Sequence, residues 1–224
     1  MTISIAAYCP QTGQIGIAIS SSSIAVGARC PWLKAGVGAV SSQNITLPAL
    51  GPKVLANLEQ GLGLEQALAT ALASDQFSAY RQVAVINALG ESACFSGEET
   101  LGIHNTAKGQ SCIAAGNMLS DSSVISSMVS AFEASSGQLS SRLIAALDEG
   151  VKRGGEAGPV HSAALKVVHA QEWPLVDLRV DWKDDDPVAE LTKLWRAYEP
   201  QMQDYVTRAL DPSQAPSYGV PGNE

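Results

Sequence analysis

Charged residues are scarce in this sequence, and none occurs before Arg29. Only 16% of the 224 residues are charged, and 14 lysines and arginines against 22 aspartates and glutamates give a formal net charge of −8. Surfaces that bind nucleic acid or anionic membrane need clustered basic residues. The sequence therefore predicts no nucleic-acid partner and no membrane partner. A hydrophobic content of 46% predicts a globular chain with a large core.

Long apolar runs are also missing, since no uninterrupted stretch approaches the roughly 18 residues that a membrane-spanning helix needs. The uncharged beginning of the chain lacks the basic region and the sustained apolar region of a secretory signal peptide. Pro10, Gly13 and Gly16 interrupt it further. These absences predict a cytoplasmic protein.

Histidine and cysteine are few, with three and four residues respectively. The cysteines form no C-x-x-C pair and have no histidine at zinc-binding spacing. We expect Cys94 and Cys112 to be strand residues that pack as small apolar side chains. The sequence also contains no G-x-S-x-G, no P-loop, no G-x-G-x-x-G and no H-E-x-x-H motif. We therefore expect no metal and no cofactor.

Apolar periodicity predicts a mixed chain with about eight strands and five helical segments. The strands are expected at residues 3–8, 14–20, 36–42, 82–87, 91–96, 111–115, 161–169 and 173–181. The helices are expected at 53–60, 64–74, around 125–132, around 139–151 and at 187–210. Helix pairs between groups of strands favour an α+β fold of two packed, mainly antiparallel sheets flanked by helices.

The organisation predicted is one domain over residues 1–183, an amphipathic C-terminal helix over 184–210 and a loose tail over 211–224. Asp186 is a natural N-cap before Pro187, and Pro200 should interrupt the helix. Its apolar stripe includes Trp195, Tyr198 and Tyr205. That stripe either covers its own sheet or meets a second subunit, and we favour a homodimer.

The remaining candidate for catalysis is Thr2. A residue this small after the initiator methionine allows the methionine to be removed, which exposes a threonine with a free α-amine of pKa near about 8. Such a residue holds a nucleophilic hydroxyl and a general base together, so it needs no histidine. The observation is common among proteins and gains weight only from its context.

That context is a resemblance to a known family. Short segments in one colinear order, including Gly116-Asn117-Met118-Leu119, resemble the uncharacterised DUF1028 family, which belongs to the N-terminal nucleophile (Ntn) hydrolase superfamily. The segments lie at residues 2–7, 13–21, 25–27, 31–32, 36–40, 43, 48–52, 81–83, 95–98, 116–119, 162–165, 176–181 and 186–191. The resemblance implies a four-layer αββα sandwich.

It also implies hydrolysis of an amide bond in a small-molecule substrate, with Thr2 as the nucleophile. Asn117 is then the candidate oxyanion donor, although a turn residue after a strand is the alternative. Ser21 and Gln43 end predicted strands, and either orient the amine or the substrate or make structural hydrogen bonds.

Three further residues are candidate substrate-binding groups. Arg179 either binds a substrate carboxylate or belongs to an ion-pair ladder on an edge strand, and we favour the ladder. Arg81 is ambiguous in the same way. His161 either lines the mouth of the site or is a surface residue at the end of a loop.

Departures from the family pattern leave the substrate open. Many relatives have a basic residue or histidine where this sequence has Ser22, and a glutamine-like residue at the position of His161. If Met1 is retained, Thr2 has no free amine. Two rival hypotheses remain: a catalytically silent protein of the same fold that binds a ligand or partner, and an ester or thioester hydrolase with the same nucleophile.

Overall fold

A computed structural model describes residues 1–220 of the chain. The last four residues of the predicted tail lie outside this part. Within it the chain forms ten β-strands and six α-helices. The strands are β1 (Thr2–Tyr8), β2 (Ile15–Ser21), β3 (Pro31–Lys34), β4 (Gly38–Asn44), β5 (Arg81–Asn87), β6 (Ser92–Ser96), β7 (Asn105–Gly109), β8 (Cys112–Asn117), β9 (Ser162–Val168) and β10 (Val176–Val180). The helices are α1 (Leu50–Glu59), α2 (Leu64–Ala73), α3 (Ser123–Ala134), α4 (Leu139–Lys152), α5 (Pro187–Tyr198) and α6 (Met202–Leu210).

The strands form two sheets, and all eight strand pairings described are antiparallel. One sheet has six strands in the order β10-β9-β2-β1-β8-β7, and the other has four in the order β3-β4-β5-β6. Helices α3, α4 and α5 pack on the six-stranded sheet, and α1 and α2 pack on the four-stranded sheet. The fold is therefore an α+β sandwich of four layers, in the order αββα, as predicted.

Three apolar clusters fill the spaces between these layers. Alternate residues of the central strands point to opposite faces of their sheet. Ile3 and Ile5 accordingly pack under α3 and α4, while Ala6 meets Ala39 and Ala84 of the other sheet. Because β1 is nearly all apolar and pairs on both sides, its first residue is held at a fixed level in the centre of the larger sheet.

The prediction of about eight strands was wrong by two, since β3 and β7 were missed. Both are edge strands, which lack the full apolar pattern of a strand buried on both faces. The strand expected at 173–181 is shorter, with bounds Val176–Val180. As expected, the helix over 187–210 is interrupted at Pro200, which lies in the 3-10 turn between α5 and α6.

Helix α5 packs on β9 and β10 of the larger sheet of its own chain. Asp186 caps α5 by accepting from the backbone amides of Val188 and Ala189 at 3.0 and 2.9 Å. Trp195 is 3% exposed and donates from its indole nitrogen to Ser141 of α4 at 2.8 Å. The apolar side of α5 is thus covered within the chain. None of the helices in residues 1–220 is long and apolar enough to cross a membrane.

Candidate functional site

Thr2 begins β1, one of the two central strands of the larger sheet. Its direct neighbours across the sheet are Ser21 at the end of β2 and Asn117 at the end of β8. By the two-residue period of the strand, Thr2 and Ser4 share the face that Ala6 presents to the second sheet. Thr2 is 5% exposed. Strand pairing therefore brings three of the predicted site residues into one row, at one end of the space between the sheets.

The carbonyl group of Met1 lies between two hydroxyl groups. The Thr2 hydroxyl donates to the Met1 carbonyl oxygen at 2.6 Å, and the Ser21 hydroxyl donates to the same oxygen at 2.5 Å. The two hydroxyl oxygens are 3.2 Å apart. The backbone amide of Ser23 donates to Ser21 Oγ at 3.1 Å and so directs the Ser21 proton toward the carbonyl. The site thus holds a carbonyl oxygen against the predicted nucleophile.

A buried network of amide side chains lies beside this row. Gln43 Oε1 accepts hydrogen bonds of 2.7 Å from both Ser4 and Ser41, and Gln43 Nε2 donates to Gln82 Oε1 at 2.8 Å. Asn117 Nδ2 donates to the same Gln82 oxygen at 3.1 Å. Because Gln43 and Gln82 belong to the smaller sheet, and Ser4 and Asn117 to the larger, the network joins the sheets. Gln82 was not among the predicted site residues, although a fully buried glutamine in an apolar strand is a signal for such a role.

Asn117 is completely buried, and its Oδ1 atom has no hydrogen-bond partner among the described residues. One of its two amide protons goes to Gln82, which leaves the second available to a bound group. The next residue, Met118, has a φ of 49°, and Asn44, directly after Gln43, has a φ of 71°. Left-handed backbone at non-glycine residues is uncommon and frequently accompanies functional sites. Each of these two residues directly follows a residue of the network.

Glu156 is a site residue that the sequence analysis missed. It lies in a glycine-rich loop and pairs with Leu119, two residues after the end of β8, and it is 5% exposed. Its Oε2 atom accepts from the backbone amide of Ser22 at 3.1 Å, whereas Oε1 is buried without a partner among residues 1–220. Burial raises the pKa of Glu156 to about 8, while the positive charge of the Met1 amine opposes that rise. An acidic residue between glycines was the available signal.

Arg81 is buried in contacts within the chain. Its Nε atom donates to Asp75 at 2.8 Å, and its NH1 atom donates to the backbone carbonyl of Ile45 at 2.6 Å. The hydrogen bond from Arg81 holds the pKa of Asp75 below its ordinary value. The guanidinium therefore fastens two loops at the same end of the sandwich as Thr2.

Arg179 and His161 do not contact Thr2. Arg179 lies on edge strand β10, three strands from β1 and thus about 14 Å across the sheet. It pairs with Asp181 at 3.2 Å and lines a separate cavity of about 710 Å³. The His161 ring stacks on Trp182 with centroids 4.3 Å apart, while its backbone amide donates to the Ser21 carbonyl at 2.9 Å. Within residues 1–220, no cluster of three His, Cys, Asp or Glu side chains is arranged to hold a metal ion.

Comparisons with known proteins agree with the fold. The model of DUF1028, a family of unknown function, matches residues 2–191. The crystal structure of a DUF1028 protein from Silicibacter pomeroyi is similar with a TM-score of 0.85 and 35% identity, covering 91% of this chain and 89% of that one. Anbu (ancestral beta-subunit) from Yersinia bercovieri has a TM-score of 0.38 and 10% identity, covering 97% of this chain and 100% of its own, and carries no inference here. The search of curated proteins found no match.

Proposed function

This chain belongs to the DUF1028 family, and we propose that it is an N-terminal nucleophile hydrolase that cleaves an amide bond of a small molecule. The observation that carries the proposal is the carbonyl oxygen held by Thr2 at 2.6 Å and by Ser21 at 2.5 Å. Acyl transfer requires a nucleophilic hydroxyl beside a carbonyl group whose oxygen has a fixed hydrogen-bond donor, and Ser21 is such a donor next to Thr2 Oγ1. Removal of Met1 would free the α-amine of Thr2 and leave this space to a substrate.

The first half of the reaction is acylation. Thr2 Oγ1 attacks the substrate carbonyl carbon, and its proton passes to the neutral Thr2 α-amine. The C–O bond forms as the carbonyl π electrons move to oxygen. The tetrahedral intermediate then re-forms the carbonyl, the C–N bond breaks, and the α-amine returns the proton to the leaving nitrogen. The products are an acyl ester on Thr2 and a free amine.

The second half is deacylation. Water attacks the ester carbon and gives one proton to the α-amine, which passes it to Oγ1 as the ester bond breaks. The acid is released and Thr2 is regenerated. An α-amine has an ordinary pKa of about 8, so it can accept the proton near neutral pH. The scheme therefore needs no histidine as a general base.

In this proposal the Ser21 hydroxyl stabilises the negative oxygen of the tetrahedral intermediate. The side-chain amide of Asn117 is a further donor, through its second N–H group. Ser21 already donates to the carbonyl oxygen of Met1. The hydroxyl oxygen of Ser21 in turn accepts a hydrogen bond from the backbone amide of Ser23. Gln43 and Gln82 position Asn117 without contacting that carbonyl. Fixed donors of this kind act in a buried site, where water does not weaken them.

The test begins with the mass of the intact chain, which must correspond to loss of Met1. The processed protein is then assayed against a panel of cyclic and acyclic amides, together with the matching esters and thioesters. Thr2→Ala should lower hydrolysis by about 10³-fold or more, because the nucleophile is lost. Thr2→Ser should retain measurable turnover, since it keeps the hydroxyl. Thr12→Ala, in the exposed turn between β1 and β2, serves as the matched control.

Three outcomes would overturn the proposal. Quantitative retention of Met1 would favour a catalytically silent protein that binds a ligand or partner. A Thr2→Ala protein that hydrolyses its amide at the wild-type rate would exclude Thr2 as the nucleophile. Turnover of esters or thioesters with none of the amides would assign the same nucleophile to a different bond.

A further inference from the structure

The methionyl group of Met1 lies where the acyl group of a substrate would lie. Its carbonyl oxygen is 2.6 Å from Thr2 Oγ1, the atom that would become bonded to the acyl carbon. Ser21 donates to the same oxygen. Met1 therefore marks the direction in which an acyl group extends from Thr2, and its surroundings describe the pocket that an acyl group would enter.

Glu156 lies in the surroundings of Met1, because its Oε2 atom accepts from Ser22, the residue after Ser21, and Gly158, two residues further on, adjoins the Met1 side chain. Burial lowers the pKa of the Met1 amine, and the negative charge of Glu156 is the main influence that opposes the change, followed by that of Cys30. In return, the positive charge of the amine lowers the pKa of Glu156 and so opposes the effect of burial. Glu156 is thus an acidic group whose charge acts on an amine at this position, without a direct ion pair to it among the described residues.

Glu156 is held in place rather than mobile in a loop. The amide of Ala157 donates to the Met118 carbonyl at 2.9 Å, and the amide of Ser120 donates to the Gly155 carbonyl at 3.0 Å. Ser22 donates its backbone amide to Oε2. The other oxygen, Oε1, is buried without a partner among residues 1–220. Burial without a partner favours the protonated acid, in keeping with the raised pKa of Glu156. A bound cation would favour the carboxylate instead.

The far end of the Met1 side chain packs on Gly158. A Cβ atom at position 158 would lie 2.7 Å from the Met1 methyl carbon and 3.4 Å from its sulfur. Gly158 therefore adjoins the end of the acyl group, and a Cβ atom there would move only the flexible end of the methionine chain.

We propose that Glu156 and Gly158 form an acyl subsite that takes α-aminoacyl amides, with Glu156 recognising the protonated amine next to the scissile carbonyl. This inference rests on the proposed function for its hydrolytic step, since it names the substrate class of the same site. The bond broken is the C–N bond of the amide, by the acylation and deacylation already described. The products are an α-amino acid and an amine or ammonia.

A different role for Glu156 makes a different prediction. If the carboxylate served the free α-amine of Thr2, it would act on every substrate alike. If it binds the amine of the acyl group, it discriminates between substrates with and without that amine. The ratio of kcat/KM values for two matched substrates separates these roles.

The experiment uses methioninamide and its analogue without the α-amine, 4-(methylthio)butanamide, with protein whose mass corresponds to loss of Met1. Wild type should favour methioninamide by about tenfold or more, because a hydrogen bond to a charged group is lost in the analogue. Glu156→Gln should abolish most of this preference. Glu65→Gln, on the exposed side of α2, should retain it.

Two results would overturn the inference: equal hydrolysis of both amides by the wild type, or an equal loss on both in Glu156→Gln. If no amide is hydrolysed, the proposed function fails. The subsite is then tested separately, by calorimetry of methioninamide binding to Thr2→Ala protein that has lost Met1. Binding of methioninamide that Glu156→Gln weakens by about tenfold or more would support the subsite. Absence of methioninamide binding would overturn it.

Discussion

The hydroxyl groups of Thr2 and Ser21 lie 3.2 Å apart on neighbouring strands, and both donate to one carbonyl oxygen. Their position follows from strand register, because Thr2 and Ser21 are direct partners in the β1–β2 pair. Only one of the two must lose its proton in the proposed reaction. The other can continue to donate to the oxygen as negative charge develops there.

Replacing Ser21 by alanine should therefore lower kcat by about 10²–10³-fold while changing KM much less, since the hydrogen bond strengthens in the transition state. Steady-state kinetics on an amide that the wild type hydrolyses provide the measurement. Ser126→Ala, on the exposed face of α3, is the matched control. A Ser21→Ala protein with wild-type kcat would leave Asn117 as the main donor.

The strands of this arrangement were predictable from the sequence because strand periodicity is local, whereas the pairing of Thr2 with Asn117 joins distant parts of the chain. The predicted strands at 3–8 and 14–20 place Thr2 and Ser21 at strand ends, the family resemblance pointed to Asn117, and the structure aligns the three in one row. The edge strands β3 and β7 were not predicted because each is short and incompletely buried. Glu156 was not predicted as a site residue because its position depends on the pairing of its loop with Leu119. No local sequence pattern encodes that pairing.

The amide network should contribute to stability through Gln82. Replacing Gln82 by leucine leaves the Gln43 and Asn117 amides without their buried acceptor. At about 1–3 kcal/mol for each unsatisfied group, the free energy of unfolding should fall by about 2–6 kcal/mol. Urea unfolding measures this, with Gln60→Leu at the exposed end of α1 as the control. A loss equal to that of the control would mean that water replaces the missing acceptor.

The two arginines predicted as substrate-binding residues should differ sharply in their effect on stability. Arg81 and Asp75 form a buried ion pair, with side chains 10% and 5% exposed. Arg81→Met leaves Asp75 buried without its partner and should cost about 3–5 kcal/mol. The Arg179 and Asp181 side chains are 39% and 48% exposed, so Arg179→Met should cost about 0–1 kcal/mol.

Urea unfolding of both variants measures the free energy of unfolding, and steady-state kinetics on one substrate measure KM. A normal KM for Arg179→Met would place the arginine in the edge-strand ion pairs alone. A KM raised about tenfold or more, with unchanged stability, would instead assign it to a substrate carboxylate.

Glu156 should make the stability of the chain depend on pH with a definite sign. In the form that retains Met1, burial raises the folded pKa of Glu156 to about 8 from an ordinary value of 4.5. Between these values the folded state keeps a proton that the unfolded state has lost. The contribution of Glu156 to the free energy of unfolding therefore decreases as pH rises through this window, by at most about 1.4 kcal/mol per pH unit.

Glu156→Gln removes this titration, so the variant should gain stability relative to the wild type as pH rises from 5 to about 8, with little further change above. Urea unfolding across this range measures the difference, on protein expressed with methionine aminopeptidase inhibited so that Met1 stays in place. The charge of the Met1 amine stabilises the carboxylate and reduces the gain, but it does not reverse the sign. Parallel stability curves for the two proteins would mean that Glu156 is already ionised at pH 5 and paired with that amine.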